Sequence, residues 1–181
     1  MNRVVCSLFA LAFVPALSLA QAQTAAPSTS PVADALRQSL SRNSKNMTAA
    51  VEAMPPEKFS FKPTASQNSY AHLSVHIAES NFRFCSAVSG VGAPEQPKLT
   101  ETDSKDKLVA AVRASFDFCA SSLAKFDDSH LADSIELFPG RTFTRAAAVL
   151  ILAGSWSDHY SEQAMYLRLN NILPPSAQPQ K

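Results

Sequence analysis

Two histidines carry the most chemistry in this 181-residue chain. His76 stands among Leu73, Val75 and Ile77, and His159 stands within Trp156-Ser157-Asp158-His159-Tyr160. A neutral imidazole is the commonest side-chain metal ligand and a ready proton carrier near neutral pH. Two imidazoles directed inward from different helices are a recurrent way to build a divalent-metal site in a bundle core. The plainer reading of each is a hydrogen-bonded core side chain. His72 lies one turn before His76 and reads as a solvated surface histidine. His130 reads as an exposed residue of a connection. Cys85 and Cys119 each sit beside phenylalanines. They are either a disulfide, if the chain enters an oxidising compartment, or two buried thiols. No CxxC pair or glycine-rich phosphate loop occurs, and spacing supports no Ser-His-Asp arrangement.

Helices must position these groups. The chain has only 4 glycines, too few for the turns of most all-β folds. Apolar residues make up 46%, enough for a core. Val32, Leu36, Leu40, Met47, Val51 and Met54 recur at helical spacing and predict a first helix over Val32–Met54. Ser30 would cap it, with Pro31 at its first position and Pro55-Pro56 as its stop. A second helix is expected over Ser69–Val88, a third over Thr102–Phe126 and a fourth over Thr144–Leu169. Phe59 and Phe61 read as aromatic plugs at one end, and residues 127–142 as a long connection. Four amphipathic segments of this length predict an all-α four-helix bundle.

The first residues read as a targeting segment. Arg3, the apolar run Val4–Leu19 and the small-x-small patterns ending at Ala20 and Ala22 predict a cleaved signal peptide over 1–22. A flexible tether over 23–31, a bundle domain over 32–177 and a tail over 178–181 complete the organisation. The expected location is periplasmic or secreted, with no stable membrane insertion after signal removal. A net charge of +1 gives no nucleic-acid footprint.

The segment from Ser69 to Ser80, SYAHLSVHIAES, resembles the second-helix motif of the DinB-like (DinB/YfiT) family. In that motif a histidine follows a small apolar triplet and precedes an Ile/Leu-Ala-Glu/Asp run. The segment from His159 to Ser176 resembles that family's fourth-helix signature: His-Tyr-Gly-Gln, an apolar stretch, Tyr-Leu-Arg and a turn ending in Pro-Pro-Ser. The likeness extends over Pro31–Ala177. It implies a four-helix bundle with one divalent metal, nickel or zinc, held by three histidines. One comes from helix 2 and two from helix 4 at i and i+4, where side chains share a face. On this mapping His76 and His159 are ligands, and the remaining position falls on Ser155. Ser161 replaces the family's glycine.

That departure leaves three outcomes open. The site is degenerate, or His72 or Glu162 supplies the third ligand (Asp158 less well), or a polar pocket with ordered water remains. Ser155, Trp156 and Tyr166 are expected to border the pocket. Tyr166 can equally be core, and Arg168 is expected to pair with a carboxylate or cap the last turn. The resemblance implies a metal-dependent transferase or hydrolase acting on a small molecule. The alternative is a non-catalytic bundle that binds a small ligand or serves in stress. Pairing through a helix face would make a homodimer.

Overall fold

The computed structural model describes residues 27–179. The expected signal peptide, the start of the tether and the last two residues of the tail lie outside them. Helix α1 is Pro31–Ala53, α2 Tyr70–Ser89, α3 Lys105–Leu123 and α4 Arg145–Leu169. Short 3-10 turns lie at Pro56–Lys58, Asp128–His130 and Pro175–Ala177. The fold is an all-α four-helix bundle.

Local chemistry sets the ends. Ser30 flanks α1 as expected, but its hydroxyl makes no cap bond. The carboxylate of Asp128 does so from across the chain, accepting from Val32 N at 3.0 Å and Ala33 N at 2.8 Å. A negative charge suits the helix N-terminus. The hydroxyls of Ser69, Ser104 and Thr144 cap α2, α3 and α4. Gly90, at φ 76°, closes α2 in the left-handed region. Helix α3 is shorter than its apolar spacing predicts. At its start, Asp103 accepts from Thr100 N in a turn before the Ser104 cap. At its end, the Arg37 guanidinium takes the carbonyls of Leu123 and Phe126.

The long connection expected over residues 127–142 holds most of an antiparallel hairpin, β1 Ser134–Phe138 and β2 Arg141–Thr144. Gly140, at φ 70°, makes its turn possible after Pro139. Leu137 faces inward, and Phe138 packs edge-on against Phe84 of α2 at 5.6 Å. The pairing turns on those long-range packing contacts, which two short runs of sequence do not reveal.

Each helix borders two others. Helix α1 packs on α3 and α4, and α2 packs on α3 and α4. Sequence neighbours α1 and α2 are therefore diagonal, as are α3 and α4, so two connections cross the bundle ends. This order sets α2 directly against α4. Met47, Ile77, Phe116, Leu152, Trp156 and Leu167 fill the centre. Cys85 and Cys119 join α2 to α3 as a disulfide, with Cα atoms 5.2 Å apart, an ordinary separation for the bond. Phe59 meets Tyr70 edge-on at 5.5 Å and Phe61 meets Tyr166 at 6.1 Å, closing the end beside the histidines. Among the described residues, no helix is long and apolar enough to cross a membrane.

Candidate functional site: a histidine pocket between α2 and α4

His76 projects from α2 and His159 from α4, and their rings meet edge to face with centroids 4.9 Å apart. His72, one turn earlier on α2, stacks near-parallel on His76 at 6.5 Å, as helical i,i+4 spacing requires. The three imidazoles line a pocket of about 400 Å3 with Asp158, Glu162 and Tyr166. Ser66, Gln67 and Asn68, just before α2, complete one side. The meeting point is a mouth, not the sealed interior that the apolar neighbours of His76 suggest. His76 is exposed and His159 half-buried.

Hydroxyls hold the rings. Ser80 Oγ lies 3.3 Å from His76 Nε2, and Ser155 Oγ lies 3.3 Å from His159 Nδ1. Both pairs are one helical turn apart. The tautomers, and so the direction of each bond, follow from the partner each ring keeps. His72 Nδ1 lies 2.9 Å from Glu101 Oε1, while Ser69 Oγ donates to Glu101 Oε2 at 2.6 Å. Glu101 comes from the turn before α3. Nothing in its sequence context marked it as a neighbour of the histidines.

The electrostatics favour neutral imidazoles. Burial, then His76, pushes the His159 pKa down to about 4. Partial burial, then His72 and Arg83, lowers that of His76. Both rings are therefore uncharged near neutral pH, each with one donor and one acceptor nitrogen. Burial, then Asp158, raises the Glu162 pKa. The hydrogen bond from Ser69, then that of His72, lowers the Glu101 pKa. Glu101 is thus a firm carboxylate, while Glu162 holds its proton more readily than usual.

A three-histidine metal centre does not fit this donor set. Ser155 occupies the third position and its hydroxyl is engaged by His159. His72 is turned to Glu101. Among the described residues, no three His, Cys, Asp or Glu side chains form a group that could hold a metal ion. What remains is a polar pocket lined by imidazole, carboxyl and amide groups.

Other expected site residues fall in different places. Trp156 does not border the pocket. It is 1% exposed, and its indole N–H donates to Asn81 Oδ1 at 2.8 Å. One residue after Ser155 on a helix is about a quarter-turn away, enough to point into the core. Asn81 donates onward to Ser115 Oγ at 3.0 Å, forming a buried polar relay that sequence reasoning missed. Tyr166 lines the pocket, but its ring is buried and its hydroxyl donates to Asn68 O at 2.7 Å. Ser155 touches the site only through His159. Arg168 is exposed in the last turn of α4. His130 is exposed and lies 3.0 Å from Asp133.

A histidine-lined pocket between adjacent helices of a four-helix bundle with two crossing connections defines the class of the protein. The DinB superfamily matches residues 39–162, a stretch that holds both His76 and His159, and the chain belongs to that superfamily. Solved structures of DinB-like proteins share the fold. A DinB-like protein from Bacillus subtilis superposes with a TM-score of 0.64 at 19% identity, covering 81% of this chain and 99% of its own. A DinB-like protein from Bacillus cereus gives 0.64 at 13% identity, covering 78% and 95%. No curated protein matches.

Proposed function

We propose that this chain is an exported DinB-superfamily protein that binds a small polar molecule in the pocket lined by His76 and His159, in place of the metal chemistry associated with a three-histidine centre. The observation that carries the reading is the Ser155 hydroxyl on His159 Nδ1. Serine is a poor ligand for nickel or zinc, and two imidazoles fall short of the three protein ligands usual at a catalytic zinc. The pocket keeps neutral imidazoles beside Asp158, Glu162 and Glu101. A neutral or cationic ligand bearing N–H or O–H groups suits that lining better than an anion.

Export is supported by the Cys85–Cys119 disulfide, a bond that persists mainly in oxidising compartments. Cell fractionation and N-terminal sequencing test it. A mature chain beginning after Ala20 or Ala22 outside the cytoplasm is expected, and an intact cytoplasmic chain would overturn it.

Metal analysis tests the site. The purified mature chain should carry nickel and zinc well below one ion per molecule. Ser155→His should bind either ion at least tenfold more tightly, since adding the missing imidazole completes the set. Stoichiometric metal in the unaltered chain, lost in His76→Ala, would sink this reading. It would favour a metal-dependent transferase or hydrolase with His72 or Glu162 as third ligand.

A further inference from the structure

A second hollow, of about 560 Å3, lies on the outer side of the α2–α3 pair beneath the extended segment Gln96–Leu99. Helix α3 contributes Ala110, Ala111 and Ala114, small side chains that leave room above the helix. Phe82 of α2 and Pro97 and Leu99 of the covering segment supply the other apolar walls. Its size falls in the roughly 300–1,000 Å3 range of small-molecule sites.

The rim carries an excess of positive charge. Arg83, Lys98 and Lys107 border it, against Glu79 alone. Lys107 is satisfied by Asp103 at 2.8 Å. The Arg83 guanidinium lies 4.6 Å from the Phe84 ring centroid and 5.3 Å from that of Phe138. Among the described residues, neither Arg83 nor Lys98 pairs with a carboxylate. Two cations at the edge of an apolar hollow complement a molecule with an alkyl body and an anionic head. The sign is opposite to that of the histidine pocket, whose edge is acidic, so one ligand does not suit both.

The geometry points to a binding site for an amphipathic carboxylate, such as a medium-chain fatty acid, between α2, α3 and the 96–99 segment. The alkyl chain lies over the three alanines and the head group meets Lys98 and Arg83. This site is independent of the ligand proposed for the histidines.

Fluorescence titration of the mature chain with 11-(dansylamino)undecanoic acid tests it, followed by displacement with dodecanoate or dodecanol. The probe should bind saturably, one per chain. Dodecanoate should displace it roughly tenfold better than dodecanol, because only the acid offers a charge-assisted contact. Ala110→Phe with Ala114→Phe, both at exposed positions, should fill the hollow and abolish binding. Lys98→Glu, on an exposed segment, should weaken dodecanoate roughly tenfold and leave dodecanol unchanged. It decides the matter if the double variant does not fold. Absent saturable binding, equal potency of acid and alcohol, or undiminished binding in a folded double variant would overturn the assignment.

Discussion

The imidazole of His159 stands edge-on to that of His76 across the α2–α4 contact, 4.9 Å between centroids. Neither ring gains by being charged there. Burial is the first cause that lowers both pKa values; His76 adds to it for His159, and His72 and Arg83 add to it for His76.

Acid should therefore weaken the fold. The His159 pKa drops from 6.5 to about 4 in the native chain. Between those values the unfolded chain binds a proton that the native chain refuses. Stability is full above the ordinary histidine value and declines as pH falls through this window. Glu162, with its raised pKa, contributes the opposite slope across the carboxylate range, so the histidine effect is cleanest above it. His159→Gln should flatten the decline. Urea midpoints measured against pH check this, and parallel profiles for the two proteins would refute it.

The relay from Trp156 through Asn81 to Ser115 is buried throughout. Asn81→Leu strands the indole N–H and should cost about 2 kcal/mol or more, the penalty for an unpartnered buried donor. Removing both partners relieves part of that loss, so Asn81→Leu with Trp156→Phe should destabilise less than the sum of the single changes. Additive losses in urea unfolding would show that the pair does not interact.

The Cys85–Cys119 bond closes a loop with a sequence separation of 34. Replacing both cysteines with alanine should lower stability by ~2–4 kcal/mol, chiefly by freeing the unfolded chain. Trp156 is the sole tryptophan and is fully packed, so its emission reports the transition. A double variant that unfolds with wild-type urea dependence would contradict the expectation.

Asp128 caps α1 from a distant turn. Asp128→Ala should cost ~1 kcal/mol, whereas Asp128→Asn, which keeps one acceptor oxygen and so one of the two bonds, should cost less. Equal thermal midpoints for the alanine variant and the wild type would mean that α1 does not depend on this contact.

Much of the fold is legible in the sequence because helices are written locally. The spacing of Leu36, Leu40, Met47 and Val51 fixes a buried face. Pro55-Pro56 and Gly90 fix two ends. His72 and His76 share a side of α2 because one turn of any α-helix brings i and i+4 together. The motifs beginning at Ser69 and at His159 carry the family likeness, and they identify the two rings of the pocket and the serine where a third would stand.

Three-dimensional packing decided the rest. Diagonal placement of α1 and α2 sets α2 against α4 and lets His76 reach His159, a relation between residues far apart in sequence. The same packing brings Glu101 to His72 and Asp128 to the start of α1, and it pairs β1 with β2 against Phe84. Trp156 shows the division most plainly. Its neighbour Ser155 touches the pocket histidine, yet the turn of the helix points the indole to Asn81 in the core. Sequence spacing sets the angle between adjacent side chains on a helix, but only the packed bundle sets which of them faces water.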